Sequence, residues 1–200
     1  GAVGGKQLLN VLNELITEEM IPDRKVDEFH ESTYQNQSSA ESVSTVKRIL
    51  NYFISYDYRE DIIDRLEDHF PDSRAAVSEL YMNEDQIATL QERGMVVGSH
   101  TVTHKVLSKI NKSEQYDEIH RSFDYLDEIV GGLSDLTFCY PYGGDHTYTD
   151  DTIRILEDLG CGWSFDVRSA DITDVELRSP HCLPRYDSCE FAHGSATFDL

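Results

Sequence analysis

Over residues 1–80 the apolar positions recur at helical spacing. Leu8, Val11, Leu12, Leu15 and Ile16 fall three and four apart, which places them on one face of a helix, and Met20 extends the stripe by a turn. Val43, Val46, Ile49, Leu50, Phe53 and Ile54 repeat the pattern, and Ile62, Ile63 and Leu66 mark a third, shorter helix. Between the first two, Glu31 to Ser42 is rich in Ser, Gln and Asn with little to bury, which predicts a mobile loop.

From Tyr81 onward short apolar runs alternate with helical stretches, the pattern of parallel β/α units. Asn83 and Gln86 form a capping box for a helix that Gly94 ends, and Met95 to Val97 reads as a strand. Ser113 opens the next helix, with Tyr116, Ile119, Phe123, Leu126 and Val130 as its apolar face and Gly131-Gly132 as its stop. A strand at Leu136 to Tyr140, a helix at Thr149 to Leu159 closed by Gly160, a strand at Cys161 to Phe165 and an extended piece at Leu177 to Leu183 follow. The fold class is α/β: a helical segment over 1–80 and a β/α region over 81–200, taken together as one domain.

Charge narrows the partners. Seventeen Lys+Arg against 38 Asp+Glu give a net charge of −21, with no basic cluster, which disfavours nucleic acid and anionic lipid surfaces. No apolar run approaches the roughly 20 residues of a membrane span, and Gly1 to Asn10 has no signal-like segment, so a soluble, cytoplasmic protein is expected. Cys139, Cys161, Cys182 and Cys189 contain no C-x-x-C pair and read as reduced thiols.

Ligand sites in parallel β/α folds lie at the carboxyl ends of the strands. Two loops there carry chemistry: Gly98-Ser99-His100-Thr101-Val102-Thr103-His104 and Tyr140-Pro141-Tyr142-Gly143-Gly144-Asp145-His146. His100 and His104, four apart past a strand end, can present two imidazoles to one divalent cation, although such a pair alone also suits a surface turn.

The run Leu90-Gln91-Glu92-Arg93-Gly94-Met95-Val96-Val97-Gly98-Ser99-His100, completed by His104, resembles the second motif region of the polysaccharide deacetylase (NodB-homology) family. Tyr140-Pro141-Tyr142-Gly143 resembles its third motif, and the resemblance spans Tyr81 to Asp187. It implies a distorted parallel β/α barrel, here without its first strands, and a metal-dependent hydrolase that removes acetyl groups from N- or O-acetylated sugars or polysaccharide precursors. By the same resemblance His100 and His104 are metal ligands, for Zn²⁺ first and Co²⁺, Ni²⁺ or Mn²⁺ as alternatives, and the Tyr142 amide holds the oxyanion. Tyr140, Pro141, His146 and Trp163 are assigned to the substrate surface.

The chain departs from the family pattern at three places. No Asp-Asp pair follows an early strand, Cys139 stands where an arginine usually opens the third motif, and Leu177-Arg178-Ser179 lacks the fifth motif's histidine. Arg185, oriented by Asp187, is expected to replace the arginine as a catalytic charge, with His146 or His181 as alternative proton donors. The missing pair implies that the 200 residues are a fragment, completed by an amino-terminal segment or second chain, or else that the protein is an inactive, carbohydrate-binding or scaffolding relative.

Overall fold

The first amphipathic stretch folds as helix α1 (Gly5–Leu15), which buries Leu12 and Leu15. The structure is a computed structural model and describes residues 4–22, 40–70, 80–187 and 190–191; residues 31–39 of the expected loop and Cys189 lie outside them. Helix α1 ends before the periodicity does. Ile16 is extended and Glu18–Met20 form a separate 3-10 turn, because the Ser55 N–H takes the Met20 carbonyl at 2.9 Å and holds it off the helix axis. The second stretch is α2 (Glu41–Arg48), continued by a wider π turn over Ile49–Phe53, and the third is α3 (Tyr56–His69), capped by Ser55. Helix α1 packs against both, around Leu12, Leu15, Val46, Ile49, Ile54, Ile62 and Leu66.

The described residues divide into two compact units, one ending at Tyr81 and one covering Met82–Phe191. In the second, α4 (Glu84–Glu92) carries the expected capping box: the Asn83 side chain accepts from Gln86 N at 2.9 Å and Gln86 Oε1 accepts from Asn83 N at 2.9 Å. Helix α5 (Lys112–Val130) begins earlier than Ser113. Its cap is Asn111, which pairs reciprocally with Glu114, a better box than Ser113 could form with Tyr116 three residues on. Gly131, at φ +73°, ends it as expected, and α6 (Asp150–Asp158) is capped by Thr149 with Thr152.

Strands β1 (Thr137–Cys139) and β2 (Trp163–Phe165) pair in parallel, Phe138 opposite Ser164. Ser99 joins the far side of β1 and Leu183 the far side of β2, each as a single parallel bridge. The described residues thus form a short open sheet and not a closed barrel.

Two predicted strands shrink to these bridges, and register explains both. With Ser99 opposite Phe138, Met95 to Val97 would face Ser134 to Leu136, where Ser134-Asp135 bend; Met95 and Val96 stay 58% and 71% exposed. With Leu183 opposite Phe165, Leu177 and Arg178 would face Leu159 and Gly160 at the end of α6. They form a 3-10 turn over Glu176–Arg178 instead. No helix among the described residues is long and apolar enough to cross a membrane.

Helices α5 and α6 cover the sheet with Leu107, Ile119, Phe123, Phe138, Tyr140, Ile155, Leu156 and Cys161. Phe138, with no exposed surface, lies 5.3 Å ring to ring from Tyr140 and 6.3 Å from Phe123. Phe138→Ala should therefore cost the second unit about 3–5 kcal/mol, read as a lower denaturant midpoint at unchanged slope.

His181 is buried beside β2, its Nδ1 3.0 Å from Ser164 Oγ and its carbonyl accepting the Tyr140 hydroxyl at 2.8 Å. Burial lowers its pKa, against a smaller opposing pull from Glu157. The unfolded chain then takes up the proton first, so stability is whole above the unfolded value of about 6.5 and declines as pH falls from there through the lowered native pKa. Denaturant titrations across that window should show this decline, and His181→Asn should flatten it.

Candidate functional site

The histidine loop starts from the sheet. Ser99 donates its N–H to the Thr137 carbonyl at 2.8 Å and accepts from Cys139 N at 2.9 Å, which delivers His100 to the carboxyl end of β1. Gly98 is required just before it: a Cβ there would strike the Thr137 side chain and come within 3.1 Å of its carbonyl oxygen.

His100 Nδ1 donates to the Cys139 carbonyl at 2.7 Å, which fixes the tautomer and leaves the Nε2 lone pair outward. Burial lowers the His100 pKa; the Cys139 carbonyl opposes this and the Arg185 charge adds to it. A neutral imidazole results. His104 brings its own Nε2 to 3.0 Å from that of His100, with the rings edge to face.

The turn between them is strained. Thr101 and His104 have φ of +68° and +54°, and His104 N donates back to Thr101 Oγ1 at 3.1 Å. Such conformations cost on the order of 1–3 kcal/mol each, most for a β-branched threonine. A carboxylate from α5 meets the turn: Glu118 Oε2 accepts Val102 N at 3.0 Å and Thr103 N at 2.8 Å, and Oε1 accepts the Thr103 hydroxyl at 2.6 Å.

The second loop is strained in the same way. Gly143 N donates to the Pro141 carbonyl at 2.7 Å across Tyr142, whose φ is +64°, so Tyr142 is the centre of the rare, positive-φ kind of γ-turn. Gly143 itself sits at φ +71° against Val167, where a Cβ would fall 2.5 Å from Cγ1. The Tyr142 ring stands 4.6 Å from that of His104, edge on. Among the described residues every non-glycine with positive φ, namely Thr101, His104 and Tyr142, belongs to these two loops.

Past β2 lies a charged pair that periodicity does not disclose. Asp166 is 1% exposed, and its carboxylate accepts Arg168 N at 2.8 Å and Arg168 Nε at 2.7 Å; Arg168 Nη2 donates to the Cys182 carbonyl. The Asp166 carbonyl in turn accepts Arg185 Nε at 3.0 Å. The only hint in the sequence is position: an acid directly after a strand, at the end where sites form. Glu118, fourteen residues beyond His104 on the face of a helix, gives no such hint.

The structure therefore gathers His100, His104, Tyr142 and Arg185, the last close enough for its charge to act on both His100 and Cys139. Of the other assigned residues, two are buried. Tyr140 has no exposed surface: its ring stacks on Tyr148 at 3.8 Å within the core, so it cannot touch a sugar. Pro141 is buried too and serves the γ-turn. Trp163 is 41% exposed but opens β2 opposite Thr137, two residues or roughly 6.6 Å below the strand end. His146 packs its ring over Gly144, while its carbonyl accepts the Ser108 hydroxyl at 2.7 Å. Asp187 is exposed and donates its N–H to Glu190 Oε1 at 2.8 Å, while Arg185 Nε donates to the Asp166 carbonyl.

The donor set fits two positions of a divalent cation. At metal–nitrogen distances of about 2.0–2.1 Å, two nitrogens bound to one ion stand roughly 3.0–3.4 Å apart, and His100, neutral and with its tautomer fixed, has the form a ligand needs. No group of three His, Cys, Asp or Glu suited to a metal occurs among the described residues. Cys139 brings no thiolate, since burial raises its pKa more than Arg185 lowers it.

No curated protein sequence matches the chain. Among solved structures, the Streptococcus pyogenes deacetylase PplD in complex with acetate is similar, at 24% identity and a TM-score of 0.49, over 55% of this chain and 46% of that one. The chain thus spans under half of that relative's length. The family model for polysaccharide deacetylase matches residues 63–162, from within α3 to just before β2, further toward the amino terminus than the motifs reach and short of Arg185. That is half of the 200 residues and includes both loops, and the chain belongs to the polysaccharide deacetylase family.

Proposed function

We propose that the chain serves a metal-dependent hydrolase that removes acetyl groups from N- or O-acetylated sugars or polysaccharide precursors. The convergence of the two Nε2 atoms at 3.0 Å, at the carboxyl end of β1, carries this reading. His100 and His104 hold the cation, Zn²⁺ before Co²⁺, Ni²⁺ or Mn²⁺, because two imidazoles suit a borderline-soft ion. When bound, such a cation polarises an acyl carbonyl and acidifies a water.

The chain's own residues do the positioning. The γ-turn fixes the main chain at Tyr142, whose ring stands beside that of His104, and the Tyr142 N–H is the donor assigned to the developing oxyanion. Burial keeps the His100 imidazole neutral and able to ligate, and the positive charge of Arg185 adds to this in a smaller measure. The third ligand and the general base come from outside the described residues, from elsewhere in the protein or from a second chain that completes the barrel. A carbohydrate-binding or scaffolding relative is the second reading, favoured by the lack of a three-ligand group among the described residues. Acetate release from N-acetylated sugars with added Zn²⁺, abolished by chelation, separates the two.

Purified protein should take up Zn²⁺ that a His100→Ala, His104→Ala double variant does not. Equal metal in both, by elemental analysis, rejects the pair as ligands. Arg185→Met removes a charge that lowers the His100 pKa, so the His100 imidazole of the metal-free protein should titrate at higher pH by NMR. In active enzyme the same change should lower kcat by roughly 10- to 100-fold with metal content intact at neutral pH.

A further inference from the structure

The loop that carries His104 is held from outside the sheet. Val102, Thr103 and His104 are exposed, so burial does not fix them, yet two of their residues carry positive-φ neighbours. Three donors, the N–H groups of Val102 and Thr103 and the Thr103 hydroxyl, converge on the single carboxylate of Glu118 at 3.0, 2.8 and 2.6 Å. One turn further along α5, Ser122 shares a hydrogen bond of 2.9 Å with Ser99 at the loop's start. Glu118 and Ser122 are four apart and occupy one helix face, so a single rigid face holds both the root and the tip of the histidine loop.

We infer that Glu118 is a positioning residue, whose carboxylate locks the Thr101 to His104 turn in the conformation that brings the two imidazoles together. It never touches the cation. Three hydrogen bonds to one ionised acceptor are stronger than neutral ones, and they satisfy main-chain groups that a strained, exposed turn would otherwise give up to water. The effect on metal binding rests on the reading that His100 and His104 hold a cation. The effect on the loop does not.

The test uses the full chain and two variants, Glu118→Ala and Glu118→Gln. Zn²⁺ titrations followed on the imidazole C–H signals of His100 and His104 should show binding roughly 10- to 100-fold weaker in Glu118→Ala. Glu118→Gln, which keeps one oxygen for the two N–H groups, should fall between the two. In metal-free protein, amide exchange at Val102 and Thr103 should quicken about tenfold or more in Glu118→Ala, while Ile119 and Phe123 in the core of α5 keep their rates. Unchanged affinity and unchanged exchange at the loop would overturn the proposal, as would a uniform rise in exchange across α5, which marks a general loss of stability. If the wild-type chain binds Zn²⁺ no better than the double histidine variant, the cation reading fails by itself, and the loop amides alone decide the role of Glu118.

Discussion

The site hangs on one stretch of hydrogen bonding, the pairing of Ser99 with Thr137 and Cys139. Buried main-chain N–H and carbonyl groups must be paired, and here the requirement is met by laying the histidine loop along β1 for one residue. His100 follows and uses the Cys139 carbonyl for its ring. The same strand then leaves the sheet as Tyr140-Pro141-Tyr142, so one ladder fixes where both loops begin. Without that bridge neither the imidazole tautomer nor the distance to His104 would be determined.

Rigidity below pays for strain above. Phe138 and Tyr140 alternate with Cys139 and anchor β1 in a core of aromatic and aliphatic side chains under α5 and α6. Above this frame three side-chain-bearing residues hold left-handed conformations that persist only where neighbours over-determine them. The neighbours are identifiable: Glu118 for the histidine turn, and the close approach of Val167 to Gly143 for the tyrosine turn.

Charge at the strand ends runs against that of the chain. In a molecule of net charge −21, Arg168 and Arg185 meet around Asp166, whose carboxylate is wholly taken up by Arg168. The charge of Arg185 acts on His100 and Cys139, and its Nε donates to the Asp166 carbonyl.

Local rules made much of this legible in the sequence. The capping box at Asn83, the glycine stop at Gly131 and the helical stripes through Leu12, Val46, Ile62 and Ile119 all depend on contacts within a few residues, which spacing encodes. The Gly-Ser-His motif identified the loop and the family for the same reason. What tertiary structure alone decided depends on register and on groups far apart in the chain. Whether Met95 to Val97 pairs is settled by a bend at Ser134-Asp135, and whether Tyr140 faces a sugar or the core by its stacking on Tyr148. Glu118 reaches Val102 and Thr103 only because α5 packs across the loop. Sequence spacing specifies which residues share a face of an element; which face meets which loop is set by packing between elements, and that is where the carboxylate on Val102 and the guanidinium near His100 come from.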